Sequence, residues 1–320
     1  MKIAIIGYGN IGRVHFSLLE KLGFNVSAVC DINYDRIKDL AVNKYTDYKE
    51  LLDVEKLDAV HICTPHYLHT QMVIDALNKN VNVLCEKPLC ILESDIERIL
   101  EAERNSKAML GVCHQNRYNL ENRIAKQYLQ DKKVISGRGQ MIWHRNADYY
   151  RADAWRGKWK TEGGGVLINQ ALHTLDLMIW LMGEPKNIEA KLSNISLKGV
   201  IEVEDTAELI CSGDNFNFSF YATNSSPKDT PISVEIKTQT DLIKITNDKI
   251  IINGEEQTVN VCEEIYGKKC YGLGHLVLIK DFYECLRNGK KFEIDGNEAA
   301  KVVKVILTAY KKAKNQLLGE

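Results

Sequence analysis

Through its first 115 residues the chain alternates between short apolar runs and longer amphipathic stretches. The runs are Ile3–Ile6, Val26–Cys30, Ala59–Cys63, Val81–Cys85 and Ala108–Cys113, each closed by a polar or turn residue. Between them, Ile11–Leu22, Tyr34–Val42, Tyr67–Asn78 and Glu93–Asn105 place apolar residues at helical steps, as at Ile11, Val14, Leu18 and Leu22. Apolar runs without alternation suit parallel strands covered on both faces. Strands and helices alternating at this spacing predict a doubly wound, parallel α/β sheet.

The pattern changes after a helix at Leu120–Leu129. Val134–His144 reads as extended, and a loop rich in aromatics and charges, Arg145–Gly165, leads into a predicted helix, Val166–Met182, closed by Gly183 and Pro185. Strands are then expected at 188–196, 203–211, 215–223, 231–238, 241–246 and 249–253, with a hairpin turn at Asn253-Gly254. Two helices, 274–288 and 297–316, follow. The expected organisation is a Rossmann domain over 1–118, then an α+β domain over 119–320 with a large, mostly antiparallel, open-faced sheet.

Composition narrows the function classes. At 320 residues the length fits two domains, and 45% hydrophobic with 27% charged residues is ordinary for a soluble protein. Lys+Arg 42 against Asp+Glu 43 leaves a net charge of -1, which argues against a nucleic-acid binder. No apolar run approaches the ~18 residues of a membrane span, and the N-terminal apolar stretch is too short for a signal peptide. The nine cysteines contain no C-x-x-C pair, and Cys85 with Cys90 lacks zinc spacing. They read as reduced thiols of a cytoplasmic protein, with no metal site expected.

Gly7-Tyr8-Gly9-Asn10-Ile11-Gly12 is a G-x-G-x-x-G turn between the first apolar run and the first amphipathic stretch. Glycines there allow a tight turn and a close approach to a pyrophosphate at the helix N-terminus. Asp31, nineteen residues after Gly12 and followed by Ile32, stands where an acid accepts from the adenosine ribose hydroxyls. A carboxylate there repels a 2′-phosphate, so NAD is expected over NADP. Arg36 is expected within the next helix.

Two further strand ends carry polar clusters: Cys63-Thr64-Pro65-His66-Tyr67-Leu68-His69 and Cys85-Glu86-Lys87-Pro88. Ligands of open α/β sheets bind at the carboxyl ends of strands, so both clusters should border the cofactor crevice. Lys87 is either a solvated strand-end lysine or a functional one. Farther on, Gly163-Gly164-Gly165 precedes Asn169, His173 and Asp176, whose spacing puts all three on one face of the predicted helix. They read equally as a buried polar trio that holds the helix in place.

With these motifs the chain resembles the Gfo/Idh/MocA family, that is, glucose–fructose oxidoreductase, inositol dehydrogenase and their relatives. The likeness runs through Gly7–Gly12, Thr64-Pro65 with His69, Glu86-Lys87-Pro88, Asn116-Arg117, Trp155-Arg156-Gly157, the glycine triplet with His173 and Asp176, and Gly274-His275 with Asp281-Phe282-Tyr283. It implies NAD(P)-dependent oxidation or reduction at a secondary carbinol of a sugar, sugar derivative or cyclitol, with Lys87 as the active-site lysine and His173 as the acid/base. It also implies cofactor contacts at Cys63, Thr64, Pro65, His66, His69, Glu86, Lys87, Asn116, Arg117, Trp155 and Arg156, and a cis Lys87–Pro88 peptide. Many family dehydrogenases carry aspartate where this chain has Asn169. An amide exchanges no proton at neutral pH, so Asn169 orients substrate or histidine, which favours sugar derivatives over inositol.

The loop residues Tyr149, Trp155 and Arg156 suit a polar or anionic sugar, since aromatic faces stack on C–H surfaces and a guanidinium binds carboxylate or phosphate. An ordinary loop with packed aromatics fits as well. Asp176 and Tyr271 complete the expected substrate set, with His275 a further candidate for the far wall. The resemblance implies a homodimer or homotetramer. Two alternatives stand beside the dehydrogenase: a glycosidase that retains NAD, and a non-catalytic NAD or sugar sensor.

Overall fold

In the computed structural model, which describes residues 1–246, 249–257 and 274–318, the expected apolar runs become strands of one parallel sheet. In chain order the elements are β1 (Ile3–Ile6), α1 (Asn10–Lys21), β2 (Val26–Cys30), β3 (Asn43–Tyr45), α2 (Tyr48–Val54), β4 (Ala59–Ile62), α3 (His69–Asn78), β5 (Asn82–Cys85), α4 (Glu93–Asn105) and β6 (Leu110–Val112). The strand order is β3-β2-β1-β4-β5-β6. Every residue of β1 and β4 is buried, as strands covered on both faces must be. The order reverses between β1 and β4, so the carboxyl ends of those strands form the topological switch point where open α/β sheets bind ligands.

The chain continues with α5 (Leu120–Tyr128), β7 (Val134–Ile142), α6 (Ala147–Arg151), α7 (Leu172–Met182), β8 (Asn187–Ser193), β9 (Thr206–Ser212), β10 (Asn217–Thr223), β11 (Ser233–Thr238), β12 (Leu242–Ile245), β13 (Ile250–Ile252) and β14 (Glu255–Gln257). Eight strands pair in the order β14-β13-β12-β11-β7-β10-β9-β8, and only β7 with β10 is parallel. Alternation is clean where one face is covered: in β11, Val234 and Ile236 are buried while Glu235 and Lys237 are exposed. α7 lies on the covered face. Gly137 and Gly139 of β7 leave the room that Met182 and Met178 of α7 fill. Asn253-Gly254 forms the β13–β14 hairpin with both residues at positive φ.

The chain ends in α8 (Gly274–Asn288) and α9 (Gly296–Leu318). Residues 1–115 with described residues 274–300 form one compact unit, and residues from 116 to 257 with 301–318 form another. This corrects a single cut near 118 with one domain over 119–320. α8 packs on the parallel-sheet unit, where Tyr283 meets the Phe24 ring at 4.3 Å and bonds His61, and Val112 donates to the Ile294 carbonyl. No described helix is long and apolar enough to cross a membrane.

Two local expectations are corrected, and one helix, α2, is unexpected. The helix predicted over Tyr34–Val42 is a single 3-10 turn, Tyr34–Arg36, before the edge strand β3. Ile37 is its one fully buried anchor, too little for an apolar stripe, and Asn33 caps only one turn by accepting from Asp35 N. The Asp47-capped helix α2 carries no comparably strong periodic signal. The helix predicted from Val166 starts at Leu172. Glu204 holds the preceding segment in turns: its carboxylate accepts from Gly165 N and Leu167 N, and its carbonyl from Val166 N.

Candidate active site

The dinucleotide turn sits at the end of β1. Gly7 has φ +92, and a Cβ there would lie 2.6 Å from the Cys63 carbonyl oxygen; one at Gly12 would collide with the Gly7 carbonyl. Around Gly9 a Cβ would meet nothing, so this is where a pyrophosphate has room to approach main-chain amides. Gly9 is also the N-cap of α1 and makes no side-chain cap, which leaves the helix terminus open to an anion. Asn10 and Ile11 open the helix, and Tyr8 is buried against Phe16.

Asp31 follows β2. Its Oδ2 accepts from Tyr8 N at 2.7 Å and its Oδ1 from Asn33 N at 2.8 Å, which fixes the carboxylate beside the turn. Arg36, freed from the expected helix, places Nη1 3.5 Å from Asp31 Oδ2. Ile32, beside Asp31, is 90% exposed.

At the end of β4, Cys63, Thr64 and Pro65 lead into the 3-10 turn that begins with His66. Cys63 is sealed, and burial pushes its thiol well up. His69 is also sealed: its ring nitrogens lie 2.7 Å from the Pro88 carbonyl and 2.9 Å from the Thr64 carbonyl. It braces two strand-end loops instead of facing a ligand, a correction to its expected cofactor contact. Lys87 is half-buried just past β5, and the Lys87–Pro88 peptide is cis. Glu86 before it is buried. Hydrogen bonds from His15 and His275 hold its carboxyl well below the ordinary range despite the desolvation.

The second unit carries the other expected residues. All of α7 is buried except His173, which is half-buried on its first turn. Asp176 and Arg117 hold one another. Arg117 Nε and Nη2 donate to the two carboxylate oxygens at 2.7 and 2.6 Å, and both side chains are sealed. Their expected substrate and cofactor contacts are thereby corrected to an internal ion pair. Asn116 is buried, its carbonyl accepting from Asn122. Asn169 lies ahead of α7 and does not share its face. Its Nδ2 donates to Glu162 Oε1 at 2.5 Å.

Around the loop, Arg156 lies 4.3 Å over the Tyr149 ring and 5.5 Å from that of Trp155, and it pairs with Asp153 at 2.8 Å. Tyr149 accepts from Gln170, Gln170 accepts from Asn224, and Asn224 also donates to Tyr150. Arg156 and Tyr149 are thus presented together by a built polar framework. Tyr271 lies outside the described residues, and His275 belongs to the first unit, bonded to Glu86.

Glu204, Gln170 and Asn224 escape a sequence reading because their partners are remote along the chain, and Glu162, bonded to nearby Gly157 and Asn169, stands in no motif that marks it. Burial pushes Glu162 and Glu204 up to about 7 each, and main-chain donors oppose the rise. Folding therefore raises both above the ordinary 4.5. The stability they contribute is complete below about pH 4.5 and is lost as pH rises through about 7. Urea midpoints measured across that window are expected to fall with pH, each acid weighing on the order of 3 kcal/mol. Glu162→Gln and Glu204→Gln are expected to flatten the slope; an unchanged slope in both would contradict the assignment.

Two family models match, the "oxidoreductase family, NAD-binding Rossmann fold" over residues 1–114 and the "GFO/IDH/MocA C-terminal domain" over 125–257. The chain belongs to the Gfo/Idh/MocA family. Inositol 2-dehydrogenase of Salmonella paratyphi B is 31% identical over 195 residues, 58% of this chain and 55% of that protein. The match thus spans about half the length of that relative. Among solved structures of this fold, the WlbA dehydrogenase of Chromobacterium violaceum, in complex with NADH and UDP-GlcNAcA, is 26% identical with a TM-score of 0.86, covering 99% of this chain and 94% of that one. The WlbA dehydrogenase of Bordetella pertussis, with the same ligands, shares the fold at a TM-score of 0.89 and 23% identity, covering 99% and 96%. Residues 1–114 of the first unit match the family's NAD-binding Rossmann fold.

Proposed function

We propose that the chain is an NAD-dependent dehydrogenase or reductase acting on a secondary carbinol of a sugar derivative. One observation carries the reading: within the first unit, Lys87 stands at the carboxyl edge of the same sheet that carries the glycine turn and Asp31. The family match and the NADH complexes of the WlbA dehydrogenases support it. Bound NAD supplies the hydride acceptor, and the chain must handle the proton and the charge. His173 takes the hydroxyl proton, a task suited to an imidazole near neutral pH. Lys87 offers an ammonium that favours the developing alkoxide. Asn169, tied to Glu162, orients without exchanging a proton, and Arg156 with Tyr149 and Trp155 offers an anionic sugar a cation and apolar faces.

Asn169 is the residue that favours sugar derivatives over inositol, and the UDP-GlcNAcA complexes of the WlbA dehydrogenases agree with that preference. The reading further includes a cytoplasmic location, supported by the unbridged described cysteines, and a homodimer or homotetramer, supported by Ile210 exposed at 60% on β9. Purified protein is to be screened with inositols, free sugars, sugar phosphates and nucleotide sugars, each with NAD and with NADP. Reduction of NAD by a charged sugar derivative, faster than reduction of NADP, is the expected result. Turnover confined to NADP, or none with any carbinol, would sink the proposal.

A further inference from the structure

Beneath the dinucleotide turn, five buried side chains of the first unit are joined. Tyr283 Oη lies 2.8 Å from His61 Nε2, and His61 Nδ1 lies 2.8 Å from His15 Nδ1. His15 Nε2 lies 3.0 Å from Glu86 Oε1, the oxygen that His275 Nε2 also approaches at 3.2 Å. Glu86 Oε2 in turn accepts from the main-chain N–H of Lys87 at 3.3 Å. Tyr283, His15 and His61 are sealed, and His275 and Glu86 nearly so.

The protons in this row have one consistent order. Burial lowers the pKa of both His15 and His61, so each ring is neutral, with one N–H and one bare nitrogen. Glu86 is ionised and only accepts. His15 therefore carries its hydrogen on Nε2 and presents a bare Nδ1, which His61 must meet with an Nδ1–H. The bare Nε2 of His61 then accepts from the Tyr283 hydroxyl. Any reversal sets a lone pair of His15 against the carboxylate.

The row joins elements that matter to the chemistry. His15 lies on α1, three residues past Gly12, on the face buried against the sheet. Glu86 immediately precedes Lys87, and on the other side the Pro88 carbonyl is held by His69. We propose that Tyr283, His61 and His15 form a one-way hydrogen-bond chain ending on Glu86, and that through Glu86 it fixes the main chain of Lys87 to the helix bearing the dinucleotide turn. His15 is thus a positioning residue, an inference that rests on the reading of Lys87 as catalytic.

The same atoms admit a rival occupant. His15 Nε2, Glu86 Oε1 and His275 Nε2 lie within 4.8 Å of one another, a spacing that suits a metal ion. A divalent cation needs His15 Nε2 bare, which turns every hydrogen in the row around: Nδ1–H on His15 and Nε2–H on His61. Nitrogen-15 NMR of the histidine rings in the purified full chain separates the two. The expected result is His15 as the Nε2–H tautomer and His61 as the Nδ1–H tautomer, both neutral around pH 7. Reversed tautomers, or stoichiometric zinc in the protein as purified, would overturn the proposal.

Kinetics test the positioning itself. His15→Leu is expected to lower kcat per NAD-binding site by roughly 10- to 100-fold with little change in the KM for NAD, since a small misplacement of a reacting group costs that much. His15→Gln, which keeps an N–H toward Glu86, is expected to recover most of the loss. Equal kcat per site in His15→Leu and wild type would overturn the role. Full activity in Lys87→Ala would instead remove the reading on which it rests, while the tautomers still report on the chain. If His15→Leu does not fold, the tautomers in the wild-type chain decide.

Discussion

Lys87→Ala is expected to lower turnover by about 10²–10³-fold while the affinity for NAD stays close to wild type. The loss is the scale on which one preorganised charge acts on a developing oxyanion. The affinity is largely spared because most of the contacts expected to hold the dinucleotide lie elsewhere, at the open space by Gly9, the α1 terminus, and Asp31 fixed by Tyr8 N and Asn33 N. NAD binding followed by calorimetry, beside steady-state rates, separates the two effects. Lys87→Arg is expected to restore little, because a planar guanidinium presents its charge through a fixed fork and not as a compact ammonium. A Lys87→Ala protein with undiminished kcat would remove the lysine from the chemistry.

The largest effect on stability is expected at Asp176. Asp176→Ala removes the carboxylate to which the buried Arg117 guanidinium donates twice, and breaking a buried pair in this way costs about 3–5 kcal/mol. Denaturant midpoints and Tm should both drop sharply. Replacing both partners by apolar residues, Arg117→Met with Asp176→Leu, should cost far less than the single change, because removing one side of a buried pair costs more than removing both. A loss below about 1 kcal/mol in Asp176→Ala would mean that water reaches the guanidinium after all. The pair also accounts for an ambiguity at the sequence level. A polar residue one turn beyond His173 on an apolar helix reads equally as a ligand contact or as internal bracing, and only the presence of Arg117, fifty-nine residues away, decides.

Where one local signal suffices, the sequence was informative. β1, β2 and the start of α8 fall where apolar runs and periodicity place them, and the glycine turn falls at the end of β1. Local pattern failed where a distant group intervenes. Val166–Met182 has one apolar rhythm throughout, yet Glu204 draws the amides at Gly165 and Leu167 away from a helix. Tyr34–Val42 has the rhythm but only Ile37 finds a core. α8 returns to the parallel-sheet unit through contacts such as Tyr283 with His61 and Phe24, links no window of sequence contains. His15 and His61 did leave a trace, as polar residues inside otherwise apolar stretches, but that trace names no partner.

In the proposed reaction, hydride leaves a carbinol carbon of a sugar derivative for nicotinamide. The direct measurement uses the best substrate of the screen, deuterated at the carbon to be oxidised, incubated with the wild-type chain and NAD. Deuterium is expected at C4 of the nicotinamide in proportion to the ketone formed, with net accumulation of reduced cofactor. Cleavage of a glycosidic bond without net NADH, or ketone formation with no deuterium on the ring, would contradict this hydride transfer.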